Sequence, residues 1–157
     1  MAGSHLVVGA VAWAWVAPRL GLPVLDPASL ALVAAGSVLP DMDHPASWVG
    51  RRLWPFSHVL ARLLGHRGFT HSLVAVALCG AALRSHGVSR GLSGPLVVGY
   101  LSHLAADLLT PAGLRLAWPL RRSFALPLCP TGSAREALVV ACLLAWTVLV
   151  LAGEHGG

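Results

Sequence analysis

The sequence has no lysine: all eleven basic side chains among its 157 residues are arginine. Charge of either sign is scarce, at 11% of residues against 56% hydrophobic, and the mean hydropathy is +0.73. Soluble globular domains are about a quarter charged, so the composition excludes an ordinary soluble domain and indicates a membrane protein. The formal net charge is +5. In so apolar a chain that excess points to anionic phospholipid headgroups, and no direct nucleic-acid binding is expected. Cysteine is nearly absent: Cys79, Cys129 and Cys142 match no zinc or redox spacing and read as small core residues. The first apolar run, residues 6–17, lacks the basic lead-in of a secretory signal and reads as an uncleaved transmembrane helix. Internal repeats, low-complexity tracts and linkers are also missing, which leaves one domain over residues 1–157.

What is present is a series of apolar segments. Segment one covers residues 5–20 and closes at Pro18 and the Gly21-Leu22-Pro23 turn. Segment two, residues 27–39, has Asp26 as a cap and Pro27 at its first position, but is short for a full span. Residues 41–69 form a long polar connection, within which 59–64 suit a short amphipathic helix on the membrane surface. Segment three covers 71–83 with Thr70 as its expected cap. Segment four covers 95–109, and 110–132 form a second polar connection. Segment five, 134–152, is the clearest transmembrane stretch. The expected fold is all-α, an integral membrane bundle of four to five transmembrane helices with two polar cytoplasmic connections.

Arginine distribution sets the expected sidedness. If all five segments cross, eight arginines (Arg51, Arg52, Arg62, Arg67, Arg115, Arg121, Arg122, Arg135) share the face of the N-terminus, against three (Arg19, Arg84, Arg90) on the other. The positive-inside rule then makes the long connections and the N-terminus cytoplasmic. Trp48, Trp54 and Trp118 read as interfacial anchors.

The same topology gathers the polar residues at one depth. HRGFTH, residues 66–71, sets two histidines and an arginine at the mouth of an apolar segment, where polar groups are costly without partners. His5 opens segment one, Asp41, Asp43 and His44 leave segment two, and His103 and Asp107 lie in segment four, all toward the cytoplasmic side. His103 and Asp107 are four apart and share a helical face, so they can chelate one ion. Mixed Asp/His ligation without cysteine suggests one or two divalent ions, Zn²⁺, Mn²⁺ or Fe²⁺. Two-metal sites commonly carry phosphoester hydrolysis, and Arg67 with the Arg121-Arg122 pair could hold a phosphate. Singly, each feature has a plain alternative: His103 and Asp107 as a buried pair bracing helices, Asp41 as a turn former, His5 as incidental, His44 as a backbone-carbonyl donor, and Arg51, Arg52 and Arg62 as headgroup contacts. His58, His86 and His155 lie outside the constellation.

The order of His5-Leu6, LPDMDHP (39–45), GHRGFTHS (65–72), GYLSHLAADLLTPAG (99–113) and Trp118-Pro119 resembles the YdjM family from His5 to about Leu128. These are bacterial inner-membrane proteins, described as membrane-bound metal-dependent hydrolases and as binding the DNA-associated repressor LexA. The resemblance implies functional positions at His5, Asp41, Asp43, His44, His66, Arg67, His71, His103, Asp107 and Thr110. The combined expectation is a multi-pass bacterial inner-membrane hydrolase, N-terminus cytoplasmic, cleaving a phosphoester or related bond in a lipid or lipid-linked substrate. His5, Asp41, Asp43, His44, His66, His71, His103 and Asp107 would be metal ligands. His44 (as general base) and Arg67 would be catalytic, and Arg67, Thr110, Arg121 and Arg122 would bind substrate. Membrane lipids are the expected partners, with a repressor added by the resemblance. The other readings are a non-catalytic metal sensor or transporter, or a membrane-anchored module that binds a repressor.

Overall fold

The computed structural model describes residues 2–64 and 67–154. Among them are seven α-helices: α1 (Ala2–Val16), α2 (Pro27–Val38), α3 (Trp48–Arg52), α4 (Phe56–Leu64), α5 (Leu73–Ser85), α6 (Arg90–Leu108) and α7 (Ala134–Glu154). Short 3-10 turns at Pro18–Leu20, Pro40–Asp43 and Phe69–His71 join them. No strand occurs among the described residues, only an isolated antiparallel bridge between Leu114 and Phe124. The chain is all-helical, as its sequence implies.

Local signals account for most helix starts. Asp26 accepts the Ser29 N–H at 2.8 Å and Pro27 takes the first position of α2. The Ser29 donor holds the exposed Asp26 carboxyl below the usual carboxylate range. The α5 start departs from expectation. Ser72, not Thr70, caps it by accepting the Ala75 N–H at 3.2 Å, and His71 stays in the preceding 3-10 turn. Thr70 is turned inward and is buried. Helix α4 starts at Phe56, ahead of the expected 59, and leaves Phe56, Val59 and Leu63 exposed on the first connection.

Helix α6 is the centre of the bundle and packs against α2, α1 and α5, while α7 lies on α1. The α2–α6 crossing depends on glycine. A Cβ on Gly36 would strike the Leu96 carbonyl, and one on Gly99 would strike the Val33 carbonyl. Small residues allow such close backbone approach. Trp13, Ala17 and Val33 pack around the far end of α1. Ala75, Val76, Tyr100, Leu104 and Leu114 fill the space between α5, α6 and the second connection.

Only α7 among the described helices is both long and apolar enough to cross a membrane: Ala134–Gly153 has mean hydropathy 2.2 and is 6% buried. The 15 residues of α1, 12 of α2 and 13 of α5 reach about 18–22 Å at 1.5 Å per residue, short of a hydrocarbon core of about 30 Å. The 19 residues of α6 are long enough, but Arg90, His103 and Asp107 interrupt their apolarity. Of the four or five expected spans, length and apolarity together single out α7 among the described helices.

Candidate metal centre

Four elements end at the same place. The start of α1 carries His5, and the Pro40–Asp43 turn after α2 carries Asp41 and Asp43. The Phe69–His71 turn before α5 carries His71, and the last turns of α6 carry His103 and Asp107. His5, Asp43, His71, His103 and Asp107 are buried, and Asp41 is partly so. The Nε2 atoms of His71 and His103 are 3.3 Å apart. Asp41 Oδ1 lies 3.9 Å from each of them. Asp107 Oδ2 lies 3.7 Å from His71 Nε2 and 3.8 Å from His103 Nε2.

The hydrogen bonds around the two rings fix where their protons sit. His103 Nδ1 is 2.7 Å from the Ser37 carbonyl oxygen. A carbonyl only accepts, so Nδ1 carries the proton and Nε2 of the neutral ring presents a lone pair. The Thr70 hydroxyl donates to Asp43 Oδ2, which leaves the Thr70 oxygen as an acceptor 3.1 Å from His71 Nδ1. Asp43 Oδ2 itself is 3.6 Å from that nitrogen. His71 Nδ1 is therefore also the protonated atom, and its Nε2 points a lone pair inward. Tyr100 supports the turn by donating to the Thr70 carbonyl at 2.5 Å.

Two acceptor nitrogens and two carboxylate oxygens at these separations repel one another unless a cation sits among them. Zinc bonds of 2.0–2.1 Å place tetrahedral ligand atoms about 3.3–3.4 Å apart, and the separations of 3.3 to 3.9 Å lie at or slightly outside that spacing. Both imidazoles donate their outer N–H to a carbonyl or a threonine–carboxylate pair, the usual support of a ligating histidine. Arg67 Nη2 is 3.4 Å from Asp107 Oδ2. Carboxylates this deeply placed need compensation, and a divalent ion supplies it. These residues fit such an ion.

His5 extends the cluster. Its Nε2 is 3.5 Å from Asp107 Oδ1, and its ring stacks on His103 with centroids 4.0 Å apart. Asp107 thus offers one oxygen to His5 and the other to the His71/His103 pair. The ligand atoms of His5, His103 and Asp107 lie within 4.8 Å of one another, as do those of Asp41, His71 and His103. The buried His5 Nδ1 has no hydrogen-bond partner among the described residues.

The remaining candidates fall into two groups. His44 lines an open vestibule over the cluster together with Arg51, Arg67, Asp41 and Asp107. Thr110 is buried and donates to the Asp107 backbone carbonyl at 2.8 Å, bracing the end of α6. Arg67 has φ 57°, the left-handed region, which costs a non-glycine residue about 1–2 kcal/mol. Its Nη1 donates to the Gly113 carbonyl at 3.4 Å. Arg121 and Arg122 are exposed and line neither cavity at the cluster; Arg122 lies over the Phe124 ring at 5.5 Å. His66 lies outside the described residues. Four contributors escape a reading of ligand types alone: Ser37 through its carbonyl, Thr70, Tyr100 and Arg51. Tyr100 carries a readable signal, being three residues before His103 and so on its face of α6. The carbonyl of Ser37 carries none.

Comparison with known proteins identifies the family. The chain matches the family described as YdjM inner membrane protein over residues 1–155. It is 44% identical over 119 residues to the Inner membrane protein YdjM of Escherichia coli strain K12, and equally to that of Shigella flexneri. Each alignment takes in 71% of this chain and 60% of the relative, so the chain spans well under two thirds of those proteins' length. It is 34% identical over 142 residues to the Uncharacterized protein YvsG of Bacillus subtilis strain 168, covering 89% of this chain and 87% of that one. No solved structure matches. With nearly its whole length matched, the chain belongs to the YdjM family of inner membrane proteins.

Proposed function

We propose that this protein is a multi-pass bacterial inner-membrane hydrolase, dependent on one or two Zn²⁺, Mn²⁺ or Fe²⁺ ions. It cleaves a phosphoester or related bond in a lipid or lipid-linked substrate at the cytoplasmic interface. The observation that carries the reading is the convergence of His71 Nε2, His103 Nε2, Asp41 Oδ1 and Asp107 Oδ2 beneath an open vestibule of about 610 Å³. A purely structural metal site is closed, whereas a catalytic one keeps an open side.

Each residue has a part. A bound divalent ion would supply Lewis acidity and would lower the pKa of water. His71 and His103 would hold it, oriented by Thr70, Asp43 and the Ser37 carbonyl. Arg67 stabilises charge that develops on the phosphoryl oxygens, and its contact with Asp107 keeps it at the ligand cluster. His44, in the vestibule wall, is the candidate general base.

Membrane embedding by more than α7 is supported by the surface. Leu6 on α1, Leu78 on α5, Leu101 on α6 and Leu144 on α7 are all exposed. The accessible surface of 9222 Å² exceeds the roughly 7,500 Å² of a compact soluble chain of this mass. Lipid contact accounts for both, and with all five segments crossing the arginine asymmetry favours the cytoplasmic side for the metal cluster and the N-terminus.

The test is to offer purified protein phospholipids, lipid phosphates and soluble phosphoesters with each metal. Metal-dependent turnover of a lipid phosphoester, lost in Asp107→Asn, is expected. Turnover of peptides or carboxylic esters alone would sink the phosphoester reading. Stoichiometric metal that stays unchanged in both His71→Ala and Asp107→Asn would remove the site itself.

A further inference from the structure

Two cavities of opposite character meet at the cluster. The vestibule presents the guanidinium groups of Arg51 and Arg67 above Asp41 and His44. The second cavity, about 110 Å³, runs between α1, α6 and α7, walled by Val8, Ala105, Leu109, Val139, Val140 and Leu143. His5, Asp107 and Thr131 line both, so the two open onto the same edge of the cluster. We propose that the site binds one amphiphile across both cavities. Its phosphoester lies in the vestibule against Arg51 and Arg67, and its hydrocarbon chain lies in the α1–α6–α7 slot.

The inference rests on the phosphoester reading above and adds which part of the molecule reads which part of the substrate. Charge sets the orientation. Arg51 is exposed and lines the vestibule, so it presents a guanidinium to an anion entering there. Glu136 lines the slot and not the vestibule, so an anionic group is repelled from the slot and drawn to the arginines. The slot also has a route to lipid. Val139 and Leu143 form its α7 wall and are 39% and 41% exposed. We place the lateral entrance for a hydrocarbon chain at these half-exposed α7 side chains. A soluble phosphoester would use the vestibule alone and leave the apolar slot empty.

The experiment is calorimetric titration of Mn²⁺-loaded protein, in nanodiscs of a neutral lipid, with ethyl phosphate and dodecyl phosphate. Wild type is expected to bind the dodecyl ester at least about tenfold more tightly, since buried methylenes add affinity stepwise. Val140→Trp, which fills the slot, is expected to remove most of that preference while ethyl phosphate affinity and metal content stay unchanged. Leu143→Ala removes a wall contact and is expected to weaken only the dodecyl ester, so it decides the matter if Val140→Trp loses metal or fails to fold. Blank titrations of empty discs subtract the partitioning of the dodecyl ester into the bilayer, and comparison of variants within identical discs cancels what remains. Equal binding of both esters by wild type, or a preference unchanged in the folded variants, overturns the slot. The titration reads binding alone, so chain-selective binding without turnover would support the amphiphile site while removing the hydrolase reading. Turnover without chain selectivity would do the reverse.

Discussion

The two long connections make a natural pair. Both are rich in arginine and proline, and the same sidedness rule assigns both to one face. The first, between α2 and α5, supplies Asp41, Asp43, Arg67 and His71 to the cluster. The second, between α6 and α7, supplies walls and tethers. Leu114 is buried, the Leu116 carbonyl accepts the Leu73 N–H at 3.0 Å, and the N–H groups of Leu128 and Cys129 return to the Leu109 carbonyl at 3.1 Å. What separates them is how each meets the helix ends. The first runs as tight 3-10 turns directly off α2 and directly into α5, so its side chains point into the bundle. The second folds back over the end of α6 through its backbone, with Leu114 turned into the bundle and Arg115, Arg121 and Arg122 exposed. Residue type alone does not decide whether an arginine belongs to a site.

The comparison is broken most directly at the first connection. Asp41→Asn removes the charge of a converging ligand and His71→Ala removes a converging ligand atom. Both should lose bound metal, by more than the roughly 10–100-fold that a supporting partner costs. Elemental analysis of protein purified in the same detergent reads this out. Retention of stoichiometric metal by both variants would mean that the first connection is no more a ligand source than the second.

Arg67→Ala should come next. Loss of one preorganised donor to a developing oxyanion costs about 10²–10³ in turnover, and metal content should hold because Arg67 touches Asp107 without replacing it. Its left-handed backbone adds a separate expectation: Arg67→Gly should lose turnover to the same degree as Arg67→Ala while unfolding at higher denaturant than Arg67→Ala, since glycine adopts that conformation freely.

Thr70→Val has a smaller expected effect. It keeps the shape and removes the hydroxyl that bonds Asp43 and faces His71 Nδ1. Metal affinity should fall about 10–100-fold, measured by competition with a chelator, with the helical content unchanged. An unaltered affinity would mean that the His71 tautomer is fixed by Asp43 alone.

Some of this was legible in the sequence and some was not. Asp26-Pro27 announced α2, and the i, i+4 spacing announced that His103 and Asp107 share a face, because both signals are local. The gathering of Asp41, His71 and His103 followed from alternating segments, which bring every second connection to one face. The α5 start was misread because Thr70 and Ser72 are both good caps, and only the tertiary demand of Asp43 for a donor chooses between them. Apolarity counts segments and does not measure their length, so of the four or five expected spans only α7 stands out on length and apolarity together among the described helices. Arg121 and Arg122 had the right chemistry for phosphate, but the direction in which the second connection folds is set by backbone hydrogen bonds that composition does not encode.

The smallest expected effect is therefore at those two residues. The double substitution Arg121→Ala/Arg122→Ala removes two positive charges from the second connection. Both are exposed, and Arg122 makes a ring contact with Phe124 of a kind worth about 0.5–1 kcal/mol at exposed sites. Exposed charges contribute little to a site they do not touch. Turnover of a lipid phosphoester should stay within about twofold of wild type at 0.15 M salt, where screening acts over about 8 Å. Run at low salt, the same assay should show a modest loss, because distant charge then helps to gather an anionic substrate. A tenfold loss at 0.15 M salt with metal intact would place these guanidinium groups on the phosphate. The second connection would then fold over the vestibule when substrate binds, and the contrast between the two connections would hold only for the free protein.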